Sequence, residues 1–328
     1  VSKISAFLAT SIARMAAPTL VYQPRDTNDA YDLDYEKFAT ITIKAIEDKK
    51  PFLAARMGSA EAIACLGVSW EHTASPLHKV IIAPYLKLTR SALMNNAGVF
   101  PRTKKMAQIF SDIYLRALSE VDVLASWIRQ EDYLCERLNN PRTVNLEDIV
   151  PFVGDDPWSA ALEGRKVLVV HPFATSIRRQ YARRALLFDN PDVLPAFELT
   201  AYPAVQSMGG SKDYTCWTDA LNAMEADIAS IDFDVAILGC GGYGLPLGAY
   251  IKSLGKPAIH LGGVTQCLFG IKGRRWVEEY GWDNLYFNEH WIYPDKNERP
   301  QNAASVENAC YWGEEKNSQA DKKDAPCE

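Results

Sequence analysis

The sequence predicts an α/β protein with a Rossmann-like, mostly parallel sheet flanked by helices and a helical insertion in its first half. Three observations predict it. Short β-favouring runs alternate with helical stretches between residues 165 and 261, the order that parallel strands with right-handed crossovers require. The apolar runs end in glycine or polar turns that open helices, as at Arg56-Met57-Gly58-Ser59, His171-Pro172-Phe173-Ala174 and Gly239-Cys240-Gly241-Gly242. The stretch of about 84–148 repeats its apolar residues mostly at helical spacing.

Residues 1–22 place Phe7, Leu8, Ile12 and Met15 at helical spacing. They predict an amphipathic helix packed on its own domain; contact with a membrane surface or a second copy of the chain is the other reading. Residues 23–31 form a linker, so 1–30 stands as a helix and linker ahead of a domain over 31–312. A helix is expected over 34–49, a strand over 51–55, and a helix over 60–66 with Ser59 as its N-cap. Helices at 84–94, 103–118 and 130–138 follow, with Tyr85, Phe110, Tyr114 and Trp127 read as core. Residues 152–164 connect to the second α/β run, a half at about 165–276 expected to bind nucleotide. It has strands at 166–170, 197–202, 234–238 and 257–261, with helices between them. The aromatics after Trp276 are read as packing across the sheet. Residues 313–328 are charged, lack apolar anchors and are predicted to be disordered.

With 35 basic against 41 acidic residues and a net charge of −6, nothing suggests a nucleic-acid partner. Seven scattered cysteines without a C-x-x-C pair read as reduced thiols of a cytoplasmic protein. No apolar run reaches the roughly 20 residues of a membrane span, and the N-terminal stretch is not apolar enough for a signal peptide. His72 and His78 have no partner at ligand spacing.

Two segments carry candidate chemistry. Gly239, Gly241, Gly242 and Gly244, with Tyr243 among them, separate a strand from a helix, and Gly262-Gly263 follows the next strand before Thr265 and Gln266. Glycine takes positive φ and lets backbone N–H groups approach a phosphate, which a helix N-terminus also attracts. Gly239-x-Gly241-x-x-Gly244 fits the dinucleotide fingerprint, but no Asp or Glu ends the next strand to hold a ribose, so NAD is not expected. The second segment is Arg56 to Glu61: arginine suits a phosphate, and Glu61 a divalent ion or a hydroxyl. His171 ends a strand as a candidate base or hydrogen-bonding group, with Ser176 just beyond it. Lys272 follows the last glycine turn.

These residues resemble the bacterial GT-D glycosyltransferases. The resemblance rests on Arg56-Met57-Gly58-Ser59-Ala60-Glu61, on KVLVVHPFATSIRRQY and on the run from Asp234 to Trp276, and covers most of residues 35–312. It implies transfer of a sugar from a nucleotide-sugar donor, UDP-linked, to a glycan or lipid-linked glycan acceptor in cell-surface polysaccharide or glycoconjugate synthesis. Such an enzyme would work in the cytoplasm, at the inner face of the membrane if it meets one. The family's D-x-E pair holds Mn or Mg. Its glutamate falls on Glu61, but its aspartate falls on Ser59, a weaker ligand that puts the metal in doubt. On this reading Arg56, Glu61 and His171 are the catalytic candidates. Gly58, Ser59, Ser176, the glycines 239, 241, 242, 244 and 263, Tyr243, Thr265, Gln266 and Lys272 are the donor-binding candidates. An NAD(P)-dependent oxidoreductase and a non-catalytic nucleotide-sugar binding module stay open.

Overall fold

The structure, a computed structural model, describes residues 3–26, 29–208 and 213–313; apart from Gly313, the tail expected to be disordered lies outside these. Among the described residues seven strands form one sheet: β1 (Phe52–Arg56), β2 (Val123–Ser126), β3 (Arg142–Asn145), β4 (Lys166–His171), β5 (Glu198–Pro203), β6 (Val235–Leu238) and β7 (Pro257–His260). Their order is β3-β2-β1-β7-β6-β4-β5, and every pair is parallel. The expected α/β class holds.

The strands are apolar on both faces because both are covered. Leu53, Ala55, Leu168, Val170, Ala236 and Leu238 join one core. The alternating Phe52, Ala54, Val167, Val169, Val235 and Ile237 join the other. Helices α1 (Lys3–Ala16), α3 (Ser59–Thr73), α4 (Pro76–Ala97), α5 (Lys104–Leu118), α7 (Trp217–Ala229) and α8 (Gly244–Ser253) pack on the first face. The second face takes α2 (Tyr35–Glu47), α6 (Ala174–Tyr181), the short α9 (Thr265–Leu268) and α10 (Arg274–Glu278), and the C-terminal aromatics. Phe152 lies against Phe188, Trp282, Tyr286 and Trp291, so those aromatics pack as expected.

Four expectations need correction. The stretch 84–148 contains β2 and β3; a buried four-residue strand such as Val-Leu-Ala-Ser gives no periodicity that separates it from a helix. α4 starts at Pro76 behind the N-cap Ser75, so Pro84 lies inside the helix rather than at its start. The N-cap of α3 is Gly58, and Ser59 is its first helical residue. α1 forms as expected, but it docks through Ala9 and Ala13, while Phe7, Leu8, Ile12 and Met15 face outward. Among the described residues no helix is long and apolar enough to cross a membrane.

The register sets the site. Ala55 lies opposite His260, His260 opposite Leu238, and Leu238 opposite Val170, one row across four central strands. One residue further on, Arg56, Leu261, Gly239 and His171 form the next row, at the carboxyl rim.

Candidate functional site

A cleft of about 450 Å³ opens over this rim. Arg56 at the end of β1, Trp127 after β2, Leu146 after β3, His171 at the end of β4, Ser207 after β5, Gly239 after β6 and Gly262 after β7 all line it. The chain leaves β4 for β5 on one side and β6 for β7 on the other, so the cleft covers a topological switch point, where open α/β sheets bind ligands.

Arg56 is the centre of the site. Its guanidinium carbon lies 4.8 Å from the centroid of the Trp127 ring. Trp127 is fixed by its indole N–H, which donates to the Met57 carbonyl at 2.8 Å, and by the Tyr22 ring at 6.0 Å. Gly262, at φ 69°, leaves room for the arginine: a Cβ there would lie 3.0 Å from Arg56 Cδ. Among the described residues no carboxylate comes within 4.0 Å of the guanidinium. A half-buried arginine held by an aromatic face, with no described carboxylate at ion-pair distance, is chemically suited to an anion.

Glu61 also lines the cleft, buried. Its carboxylate folds back over Gly58, where it would collide with any Cβ, and accepts from its own backbone N–H. Burial raises its pKa, and the charge of Arg56 offsets only part of that. The metal expectation therefore meets a poor donor set. Ser59 and Glu61 offer one hydroxyl and one carboxylate already turned onto the helix end, against the six or more oxygens of a hard cation. No group of three His, Cys, Asp or Glu that could hold a metal occurs among the described residues. A divalent ion here would take most of its oxygens from a diphosphate and water.

Two buried histidines line the cleft with opposite tautomers. His171 Nδ1 accepts the Phe173 backbone N–H at 2.9 Å, so the ring carries its proton on Nε2; burial pushes its pKa down to about 3. It is a hydrogen-bond donor rather than the general base allowed from sequence. His260 Nδ1 faces the Leu238 carbonyl at 3.2 Å and must donate to it, which leaves a lone pair on Nε2. Burial, then Arg56, lowers its pKa to about 4. His260 ends the strand at which the dinucleotide fingerprint would place an acid.

Of the donor-binding candidates, Gly58, Ser59, Gly239, Gly241, Tyr243, Gly263 and Gln266 line the cleft. Gln266 gives its amide N–H groups to the carbonyls of Lys272 at 2.9 Å and Tyr311 at 3.2 Å, while its buried Oε1 has no partner. That oxygen is a buried acceptor left unsatisfied, which native interiors rarely allow. The other candidates lie off the cleft lining. The Thr265 hydroxyl donates to Leu238 at 3.2 Å. Gly242 is packed under the Ala97 carbonyl, and Gly244 against the His260 ring. Lys272 lies over Tyr293, its ammonium 5.2 Å from the ring centroid. Ser176 is engaged by Glu298 and Asp295: the Glu298 carboxylate accepts the N–H groups of Thr175 at 2.8 Å and Ser176 at 3.2 Å. The N-terminus of α6, a natural anion site, is thus filled by the protein's own carboxylate.

The sequence reading missed the rim. Asn96, Ala97 and Gly98, at the end of α4, form one wall, and Tyr280, Tyr311 and Arg275 another. Arg275 pairs with Glu307 and lies over Tyr311. Trp127, read as core, does pack partly buried against it, and it also lines the cleft because β2 ends just before it. Comparison of the chain with protein-family models, curated proteins and solved structures finds no match in any of the three.

Proposed function

We propose that this chain is a glycosyltransferase taking a sugar from a nucleoside-diphosphate donor, UDP-linked on the family resemblance, to a glycan hydroxyl. The observation that carries the reading is Arg56: an uncompensated guanidinium over an aromatic ring, at the carboxyl end of a central strand, in a cleft of nucleotide size. In such a transfer the bond from the anomeric carbon to the diphosphate oxygen breaks, and negative charge collects on the departing phosphate. Arg56 would neutralise it with two parallel donors. The acceptor oxygen bonds to the anomeric carbon and loses its proton to a base, for which the buried Glu61 carboxylate and His260 Nε2 are the candidates on the lining. His171 Nε2–H would hold a donor oxygen, and the buried Gln266 Oε1 would reach a sugar hydroxyl only after a side-chain shift. No metal enters this scheme.

A second reading, a non-catalytic nucleotide-sugar binding module, is favoured by one observation: Glu61 is turned onto its own helix end, away from a base's task. For an oxidoreductase, the position that should carry the ribose-binding acid is His260, packed against Gly244.

The test is a thermal-shift and calorimetry screen against UDP, GDP, CMP and NAD, repeated with Arg56→Ala. A ligand at a hundred times its dissociation constant adds about 2.7 kcal/mol of stability. Binding of UDP or its sugar conjugates that Arg56→Ala weakens by about thirty- to a hundredfold, in a protein that melts unchanged, supports the reading. NAD as the sole ligand overturns it, and so does UDP affinity that ignores Arg56. Binding without turnover selects the module.

A further inference from the structure

Eight of the fourteen large apolar side chains exposed among the described residues sit on two neighbouring helices. On α1 they are Ile4, Phe7, Leu8, Ile12 and Met15, from 38% to 79% exposed; on α4 they are Leu77, Val80 and Ile81, from 40% to 74%. Each set recurs at i, i+3, i+4 spacing, so each helix turns one apolar stripe outward. The two helices pack together: α1 buries Ala9 and Ala13 in the core that also takes Ile82, Tyr85 and Leu86 of α4. Scattered exposed leucines need no explanation; a concentration on one helix pair does.

The charge around these stripes identifies what covers them. The chain is acidic overall, yet residues 1–25 and 72–111 contain no Asp or Glu. Lys3, Arg14, Lys79 and Lys87 lie on the two helices, and none has an ion-pair partner among the described residues. We infer that α1 and the first half of α4 dock on an anionic lipid bilayer, the apolar stripes entering the headgroup boundary and the basic side chains reaching lipid phosphates. A second copy of the chain would bring like charges together without an acid to meet them, so a bilayer fits better. The far end of α4, at Asn96 and Ala97, is a wall of the cleft. At 1.5 Å per residue, about 24 Å of α4 separate Ile81 from Ala97, so the docked half of the helix and the cleft wall are different parts of it. The inference stands whether or not the cleft binds a nucleotide.

Flotation of the full chain with vesicles of phosphatidylcholine, alone or mixed with phosphatidylglycerol, tests it. Binding to the mixed vesicles should exceed that to phosphatidylcholine by about tenfold or more and fall steeply with salt. Phe7→Glu with Val80→Glu should abolish it at an unchanged melting temperature, since both residues are exposed, while Phe7→Leu retains it. Failure to float with the mixed vesicles overturns the inference. So does equal binding to neutral vesicles, or a dimer in light scattering that the double variant dissolves without any vesicle binding.

Discussion

The turn after β6 and the end of β1 face the same cleft, yet the protein itself accounts for every glycine in the first, while among the described residues no carboxylate pairs with Arg56 in the second. After β6, a Cβ on Gly239 would lie 2.6 Å from the Thr265 hydroxyl and 2.7 Å from both the Gly262 carbonyl and the His171 ring. Gly241 stands at φ 57° with the Ala97 carbonyl 3.2 Å from the place of its Cβ, and Gly244 lies against His260. These glycines let α4, β7 and α8 close on one another. At the end of β1, Gly262 clears space for Arg56, and among the described residues no carboxylate comes within ion-pair distance of it. A glycine motif therefore marks close packing first; an uncompensated charge in a cleft is the sharper sign of a ligand.

The largest expected effect breaks the comparison on the β6 side. Gly244→Val drives a branched side chain into the buried His260 ring and should cost about 3 kcal/mol or more, measured by urea unfolding. If the glycines served only a phosphate, stability would hold and UDP affinity alone would fall.

A middle-sized effect concerns acid. His171 and His260 bind no proton in the folded protein until about pH 3 and 4, but bind one each once unfolded, below about pH 6.5. The unfolded state therefore takes up more protons, and stability falls as pH drops through 6.5 toward 4. The slope is up to about 1.4 kcal/mol per pH unit for each histidine. Unfolding titrations of His171→Asn and His260→Asn should each show a shallower slope between pH 4 and 6; an unchanged slope would mean these rings reach water.

Smallest in stability is Glu61→Gln. Burial raises the folded pKa of Glu61 above its unfolded value, so its contribution is present at low pH and is lost as pH rises through the folded value. The neutral amide escapes that loss and should match or exceed the parent's stability at pH 8. Turnover of a UDP-sugar by Glu61→Gln then separates the bases: a loss of about a hundredfold assigns the proton to Glu61, and retained turnover moves it to His260.

The second half of the sheet was legible because its strands are runs such as Val167-Leu168-Val169-Val170, each closed by a glycine or polar turn. β2 and β3 were not, being four residues long and flanked by helical segments. Arg56, Glu61, His171 and Gln266 could be read as candidates from their place after strands. The engagement of Ser176 by Glu298, 122 residues away, could not, because nothing local announces it. Nor could the tautomers of the two histidines, which depend on the backbone of Phe173 and Leu238.

The sheet order has a consequence for the chain as it leaves the ribosome. β7 is the last strand to be made, yet it lies between β1 and β6, with Phe52 opposite Pro257. Until residue 260 has emerged, β1 and β6 each wait with an open edge, and the two halves of the sheet share no partner. Contacts closed across some 200 residues of chain are slow to form, and unpaired edges are exposed to aggregation while they wait. Gly239 and His171 align as soon as β6 pairs with β4, but Arg56 joins their row only once β7 is in place.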